Sequence, residues 1–191
     1  CLHSMPSKCP IRVAVPVNLR PYFNSITTKN FFVMVSAEFH PTKETYTFAE
    51  VAAIVKESLR SQINRENLEK LFSYNVSNEK LLIARVVPLF LKNLAMKYVY
   101  TTSALANTAT ITNIGNISVT EEYRPYVEMF HAFLAMSKGQ HLKGTICSYG
   151  DTLVFSFSYD LVDASVQRGF FRKIASDGIA VEIKSNGVNY E

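Results

Sequence analysis

Apolar and polar residues alternate near the start of the chain. From Ile11 to Leu19 every second residue is apolar, which predicts a half-buried strand. Pro16 lies inside this strand and has no amide hydrogen, so we expect the strand to lie at a sheet edge or to carry a bulge there. A second strand, rich in Phe and Val, is predicted from Phe31 to Phe39.

The pattern then changes to helical spacing. Thr47 and Glu50 match a capping box, and apolar residues recur every three or four positions from Phe48 to Phe72, with one break. A second helical segment is predicted from residue 78 to 98, in which Pro88 should kink or divide the helix. The middle of the chain is therefore predicted to be helical.

Strand patterns return in the second half of the chain. The four further strands are predicted at residues 108–113, 126–136, 141–149 and 153–159. Turn chemistry at Lys138-Gly139 and at Gly150-Asp151 joins the last three as antiparallel hairpins. A helix capped by Asp163 and closed by Gly178 follows, and then a short strand over residues 179–183. This order predicts an α+β fold, a two-layer sandwich of a mixed, largely antiparallel sheet with helices on one face.

Length and composition indicate one globular domain. The chain has 191 residues, 48% of them hydrophobic and 19% charged, which is enough to build a core without a disulfide or metal. We expect residues 1–10 to be a disordered or extended segment and residues 11–191 to form a single domain. The net charge of +4 is spread along the chain, so no nucleic-acid partner is predicted. Charged residues and a proline interrupt the apolar stretch 81–100, so no membrane span is predicted.

The cysteines and the first residue bear on the setting of the protein. Three cysteines in a chain of this size favour a reduced, cytoplasmic setting. The chain begins at Cys1, which fits a fragment of a longer protein, a processed chain that has lost its initiator Met, or a mature lipoprotein. We favour the fragment because of the resemblance described below.

No catalytic residue or metal ligand is assigned from the residues alone. The chain has four histidines, and none is followed by a carboxylate at a catalytic or metal-binding spacing, so we interpret them as surface or core residues. His131, between aromatic residues, is the best candidate for a pocket. Cys147 is interpreted as a core thiol. A zinc site is not predicted from the residues Cys1, His3 and Cys9, which include no close cysteine pair.

Two polar segments follow predicted strands, and each has two interpretations. Arg20 ends an apolar strand, where its planar guanidinium either reaches a carboxylate at a domain interface or lies in solvent. In the segment 112–117, Gly115 permits a backbone turn, and the neighbouring polar groups either line a pocket or only form a tight connection.

Several segments together resemble a known family. The segment 16–20 followed by 28–32 resembles condensation domains and bacterial alcohol acetyltransferases, in which a strand ends in Arg and a Gly/Asn-Phe strand follows. The segments 88–93 and 112–115 resemble a helix and a Ser/Thr-Asn-x-Gly strand end of the same proteins, and 157–163 resembles their closing strand and helix. From about residue 11 to 183 the chain therefore resembles the chloramphenicol acetyltransferase-like superfamily.

The resemblance implies a function for the chain. Members have two lobes with the active site in a tunnel between them, and the catalytic base is a His of an HHxxxDG motif on the N-terminal lobe. Because this motif is absent here, the resemblance implies the C-terminal lobe of a bacterial acyltransferase that uses CoA or carrier thioesters, inactive alone. Acetyl-CoA or another acyl thioester would be the co-substrate of the parent protein. The implied partner is the N-terminal lobe of the same parent chain, with a homodimer through the exposed lobe interface as the alternative.

The resemblance also implies roles for individual residues. Arg20 matches the Arg that pairs with the motif's Asp, and the polar strand end faces the acyl-transfer centre, where a donor can assist an oxyanion. The tunnel-lining or bracing positions by resemblance are Arg20, Asn30, Phe31, Thr112, Asn113 and Gly115.

One branch of the family does not transfer its chemistry to this chain. The dihydrolipoyl acyltransferases carry a DHRxxDG motif near the position of Asp160, but this chain has Leu161 and Ala164 where that motif has Arg and Gly, and it has no His there. We interpret Asp160 and Asp163 as turn and cap residues. The alternative functions are a free-standing, non-catalytic module that binds a ligand or partner, and a lipoprotein domain that begins at Cys1.

Overall fold

The computed structural model describes residues 9–42, 45–80 and 87–186. The fold is α+β, as predicted, and combines five strands, five α-helices and a short 3-10 helix in this part of the chain. In chain order these are β1 Ile11–Asn18, α1 Arg20–Phe23, β2 Phe32–Phe39, α2 Phe48–Gln62, α3 Arg65–Lys80, α4 Leu89–Leu105, β3 Ala109–Asn116, the 3-10 helix Arg124–Tyr126, β4 Leu142–Tyr149, β5 Thr152–Tyr159 and α5 Ser165–Ser176.

The five strands form one open sheet in the order β2-β1-β3-β4-β5. The two outer pairs, β1 with β2 and β4 with β5, are antiparallel, and the two inner pairs, β1 with β3 and β3 with β4, are parallel. The sheet is mixed as predicted, but it is parallel as often as antiparallel. The difference arises because the predicted strand 126–136 does not join the sheet.

Pro16 lies in an inner strand, so the prediction of an edge strand or a bulge is wrong. The Leu19 amide donates to the Phe31 carbonyl (3.1 Å). Hydrogen-bonded and non-hydrogen-bonded positions alternate along an antiparallel pair, and residue 16 is three positions from Leu19. Its backbone nitrogen and carbonyl therefore point away from β2 and toward β3. The pairing of β1 with β3 ends at Ala14 and Thr110. Pro16 therefore lies just beyond the paired stretch, where its missing amide hydrogen costs no ladder bond.

Helices α2, α3 and α5 pack against one face of the sheet. The buried core joins β2 to the first turn of α3 through the side chains of Leu19, Val33, Val35 and Leu68. At the opposite edge of the sheet, Phe170 of α5 contacts Phe155 and Phe157 of the edge strand β5 (4.3 and 5.4 Å between ring centroids). The strand registers place these side chains on one face, which we call the helix face. The opposite side, with Ala14, Thr110 and Cys147, is called the far face below.

The segment 127–136 is not the predicted strand; it crosses the far face as irregular extended chain. Side chains of β4 hold it there. The Lys143 ammonium donates to the Ala135 carbonyl (2.6 Å), and the Cys147 thiol donates to the Phe130 carbonyl (3.4 Å). Period-two alternation predicts extended, half-buried chain, but it does not distinguish pairing with a strand from packing over a sheet. The predicted turn at Gly139 is present, with φ +83° and one isolated bridge, Ser137–Gln140.

The helix ends follow the sequence closely. The capping box of α2 is present, since the Glu50 amide donates to Thr47 Oγ1 and the Thr47 amide donates to Glu50 Oε2. Pro88 directly precedes α4 and so begins the helix. The predicted segment 78–98 corresponds to the end of α3 and the start of α4, and residues 81–86 between them lie outside the described residues.

The end of the chain differs from its prediction in two details. Ala164, not Asp163, is the N-cap of α5, although Asp163 still accepts the Ser165 amide at 2.8 Å. Gly178 closes this helix as predicted, with φ +81° and the Ile179 amide bonded to the Ile174 carbonyl. The predicted strand 179–183 is irregular chain instead. Alternation alone cannot form a strand that has no neighbouring strand to pair with.

Candidate functional site

The two central parallel strands separate toward their carboxyl ends. β1 and β3 pair only at Val13–Ala109 and Ala14–Thr110. From β1 the chain continues to β2 on one side of the sheet, and from β3 it continues to β4 on the other. Connections that diverge in this way leave a crevice at the carboxyl ends of parallel strands, a common position for binding sites. We call this region, formed by residues 18–31 and 112–117, the fork.

On one side of the fork, Arg20 holds a loop. Its Nε donates to the Thr27 carbonyl (2.8 Å), one terminal nitrogen donates to the Lys29 carbonyl (2.7 Å), and the other donates to Asn18 Oδ1 (3.1 Å). A planar guanidinium can satisfy three acceptors at fixed angles, which an ammonium cannot do. The hydrogen bonds that Arg20 makes in this structure therefore go to the chain around it, and they fix the loop 24–30 beside the strand end.

Asn30 and Phe31 follow this loop and lie in different environments. Asn30 is exposed at the surface. Phe31 packs edge-on against Phe23 and Phe72, with 6.2 and 5.2 Å between ring centroids, and borders the hydrophobic core. Phe31 is thus a packing residue in this structure, whereas Asn30 presents its amide to solvent.

On the other side of the fork, β3 contains a bulge. Its register with β4 passes from Asn113–Ile146 to Gly115–Cys147, so Ile114 is the inserted residue. Gly115 has φ +82°, in the left-handed region, and its amide donates to Asn113 Oδ1 (2.9 Å). The Asn113 side-chain oxygen is therefore engaged in holding the bulge.

Thr112 precedes the bulge and is half-buried on the far face, next to Thr145 of β4. The Thr145 side chain is 2% exposed, and its hydroxyl has no hydrogen-bond partner among the described residues. Two adjacent threonine hydroxyls thus lie at the base of the fork.

The fork brings the six residues predicted by resemblance to one end of the sheet. Arg20, Asn30 and Phe31 belong to the β1–β2 side, and the segment 112–115 belongs to the β3 side. Neither fork segment contains His, Asp or Glu. The fork can therefore donate hydrogen bonds and position a ligand, but its own side chains include no residue suited to proton transfer at neutral pH.

A His–Asp pair lies at the opposite end of the sheet. His141 Nδ1 is 2.9 Å from Asp160 Oδ1, and the two side chains are about half exposed. Inspection of sequence spacing missed this pair, although the predicted turn at Gly150-Asp151 contained the information. A two-residue turn pairs Tyr149 with Thr152, and the same register places residues 141 and 160 opposite each other. Exposed pairs of this kind contribute below about 1 kcal/mol to stability.

The far face also carries an open groove of about 560 Å³ beside β2. Phe32, Met34 and Tyr100 supply apolar surface, and Thr110 and Gln140 supply polar groups. Sequence reasoning did not predict the groove, because its walls come from segments far apart in the chain. Its volume lies within the range of small-molecule sites, but the groove is open to solvent on one side.

The remaining candidates from the sequence do not form a site. The His131 side chain is exposed and lies parallel to the Phe133 ring, 6.5 Å away, and it does not line the groove. Among residues 9–42, 45–80 and 87–186, no group of three His, Cys, Asp or Glu side chains is arranged to hold a metal ion. Cys1 and His3 lie outside the described residues. In the same ranges no helix is long and apolar enough to cross a membrane.

Two carboxyl groups have lowered pKa values, and both lie outside the fork. The Ser165 hydroxyl, followed by the Ser165 amide, lowers the pKa of Asp163 by hydrogen bonding to its carboxylate. The Lys70 ammonium lowers the pKa of Glu66 through a hydrogen bond and its charge. Both effects stabilise helix surfaces, and neither prepares a group for catalysis.

The fold and the site define a class of protein. It is an α+β protein with an open five-stranded mixed sheet and a polar fork between its central parallel strands. Comparisons with protein-family models, with curated proteins and with solved structures found no match to this chain.

Proposed function

We propose that this chain is the non-catalytic, C-terminal lobe of an acyltransferase that moves an acyl group from a thioester to an alcohol or amine. A second lobe, carrying the HHxxxDG motif, supplies the base that deprotonates the acceptor. Acetyl-CoA or a carrier-bound acyl thioester is the donor. The resemblance to condensation domains and alcohol acetyltransferases motivates this proposal, and the reducing bacterial cytoplasm is the setting it implies.

The observation that carries the proposal is the fork. Arg20 and the segment 112–115 are far apart in the chain, yet both lie at the carboxyl ends of adjacent parallel strands. The fork offers donors and no base. This composition suits one wall of an acyl-transfer site whose base comes from another lobe.

Arg20 has hydrogen-bonding capacity left for a partner lobe. A guanidinium has five N–H groups, and Arg20 uses three of them in the bonds to Asn18, Thr27 and Lys29. We propose that the remaining N–H groups bind the Asp of the HHxxxDG motif. Arg20 then braces the catalytic loop of the second lobe while it holds its own loop in place.

The test compares the isolated chain with the same chain joined to the lobe encoded upstream. Release of free thiol from acetyl-CoA, measured with a panel of alcohols and amines, is expected only from the joined protein. Replacing Arg20 with Lys in the joined protein should lower kcat/KM, whereas Lys29→Gln should not, because Arg20 binds only the Lys29 carbonyl. Turnover by the isolated chain, or an upstream reading frame without HHxxxDG, would contradict the proposal.

A second candidate function rests on the groove. In this alternative the chain is a non-catalytic module that binds an apolar ligand between Met34 and Tyr100. Thermal-shift and equilibrium-binding measurements with medium-chain alcohols and fatty acyl esters would then detect binding to the isolated chain. Met34→Glu should abolish this binding, and the matched variant Met96→Glu should not, because Met96 does not line the groove. Binding that is unchanged by Met34→Glu would rule out the groove.

A further inference from the structure

Lys143, on the far face, is a buried cation whose partners are all neutral. The residue is 8% exposed. Its ammonium donates to the Ala135 carbonyl and to Ser137 Oγ (3.1 Å), and it forms no ion pair with a carboxylate in the part of the chain that the structure describes. Asp160, at the end of the neighbouring strand β5, is bound to His141 instead (2.9 Å). Lysine is rarely buried unless its charge is paired, because removing a charge from water is costly. The charge of Lys143 is therefore only partly compensated.

Two hydrogen-bond donors at this position have no acceptor. An ammonium has three N–H groups, and Lys143 uses two of them. The Ser137 oxygen accepts from Lys143, and its own O–H has no acceptor among the described residues. Polar groups that are shielded from water normally have partners. A carboxylate would accept from both donors, one on each oxygen, and would also pair with the charge.

The groove leads toward these two donors. Ala14, Thr110 and Lys143 are successive Cα partners across β1, β3 and β4, so their side chains form a row on the far face. The first two residues of this row line the groove. Neighbouring strands are about 4.8 Å apart, so Lys143 lies one strand beyond Thr110. Ser137 forms a bridge with Gln140, which also lines the groove. The two donors are therefore next to the polar end of the groove.

The other end of the groove is apolar. Phe32 and Met34 of β2 and Tyr100 of α4 line it, and each of these side chains is about half exposed. Covering such surface with an aliphatic chain is favourable because it removes apolar area from water. The groove thus has exposed apolar side chains at one end and a partly compensated cation beside the other.

We propose that the groove binds a fatty carboxylate, with its aliphatic chain against Met34 and Tyr100 and its carboxylate on Lys143 and Ser137. This proposal rests on the second candidate function, the groove as a binding site, and it names the class of ligand and the residue that selects it. A neutral alcohol of the same length would leave the charge of Lys143 as it is, and a cationic amphiphile would be repelled. Because the fork lies elsewhere, the acyltransferase proposal does not depend on this one.

Isothermal titration calorimetry of the unmodified chain with three probes tests the proposal. Decanoate, decanol and decyltrimethylammonium share an alkyl chain and differ in charge. Decanoate is expected to bind about tenfold more tightly than decanol, because a hydrogen bond between charged groups is worth more than a neutral one. The cation should bind most weakly. Equal binding of decanoate and decanol would overturn this proposal and leave the groove as a binding site, whereas no binding of any probe would overturn both.

Three variants locate the bound ligand. Lys143→Met should lower the affinity for decanoate to that for decanol and leave the affinity for decanol unchanged. Lys138→Met is the matched control, since it removes the same charge from an exposed position in the adjacent turn, and it should keep the preference for decanoate. Met34→Glu should abolish binding of decanoate. Circular dichroism checks that each variant is folded, and the comparison of probes on the unmodified chain does not depend on any variant. A preference that survives Lys143→Met, a preference lost in Lys138→Met, or decanoate binding unchanged by Met34→Glu would overturn the proposal.

Discussion

Arg20 and Gly115 are the two residues on which the shape of the fork depends most. Arg20 fixes the loop 24–30 through two backbone carbonyls, and Gly115 allows the bulge in β3 through its positive φ. Each residue acts through a property that no similar residue has: a planar guanidinium with several donors in Arg20 and the absence of a Cβ in Gly115. Conservative substitution at either position should therefore be costly.

Replacing Arg20 with Lys should lower the free energy of unfolding by about 1–3 kcal/mol, because one ammonium cannot satisfy the carbonyls of Thr27 and Lys29 together. Urea denaturation of the purified chain measures this change. Lys29→Gln is the control and should leave stability nearly unchanged. Equal stability of Arg20→Lys and the parent chain would show that the loop does not need the guanidinium.

Two glycine substitutions should act in opposite directions. Gly115→Ala should destabilise the chain by about 1–2 kcal/mol, because φ +82° is strained for a residue with a Cβ. Gly169→Ala, inside α5, should stabilise it by about 0.5–1 kcal/mol, because alanine has the higher helix propensity. In both positions a new Cβ meets no atom within 4 Å, so the backbone alone accounts for the difference. Thermal unfolding of the two variants side by side is the measurement, and a shift of the same sign in both would contradict this account.

At the scale of elements, local signals determine where helices begin and end. The capping box begins α2, Pro88 precedes α4 and Gly178 closes α5. Each signal satisfies a backbone group that the helix leaves without a partner, so it acts wherever the helix is placed. Strand formation differs, because a strand needs a neighbour. The segments 126–136 and 179–183 both alternate, yet neither belongs to the sheet.

The start of α5 should make stability depend on pH. Hydrogen bonds from Ser165 lower the pKa of Asp163 in the folded chain, so the ionised carboxylate stabilises the fold. This contribution is complete above the unfolded pKa of about 4 and is lost as the pH falls through the lower, folded pKa. Asp163→Ala should therefore be less stable than the parent chain at neutral pH, with a difference that shrinks in acid.

Urea midpoints measured from about pH 7 down to about pH 3 would follow this difference. Ser165→Ala removes the hydroxyl donor, so the pKa of Asp163 should rise toward its ordinary value and part of the effect should be lost. A difference between Asp163→Ala and the parent chain that is constant with pH would argue against a role for the ionised carboxylate.

At the scale of the whole molecule, the core is concentrated at the β2 edge of the sheet. Leu19, Val33, Val35 and Leu68 form the buried cluster that joins β2 to α3. The β5 edge depends on aromatic contacts between β5 and α5, such as Phe155 with Phe170. Stability should therefore be most sensitive to side chains that join the helices to the β2 edge of the sheet.

Leu68→Ala should cost about 2–5 kcal/mol, because Leu68 is fully buried and the cavity would lie between a helix and the sheet. Leu71→Ala, one turn later and 39% exposed, should cost less than half as much. Chemical denaturation of both variants gives the comparison. Similar losses at the two positions would show that the core extends further along α3 than its burial indicates.

The sequence by itself determined the α+β class, the start of α2, the end of α5, the approximate positions of the five observed strands and the β4–β5 hairpin, although it also predicted two strands that do not form. These features depend on periodicity and turn chemistry, which act over a few residues. The sequence also implied the His141–Asp160 pair, because the two-residue turn at Gly150-Asp151 sets a register that places residues 141 and 160 opposite each other. The spacing of these residues along the chain did not show the pair.

The tertiary structure decided which strands are neighbours. It placed Pro16 beyond the pairing of β1 with β3, left residues 126–136 outside the sheet and joined Arg20 to the carbonyls of its own loop. It also formed the fork and the groove. Each of these features depends on contacts between segments far apart in the chain, and local hydrophobic pattern carries no information about such contacts.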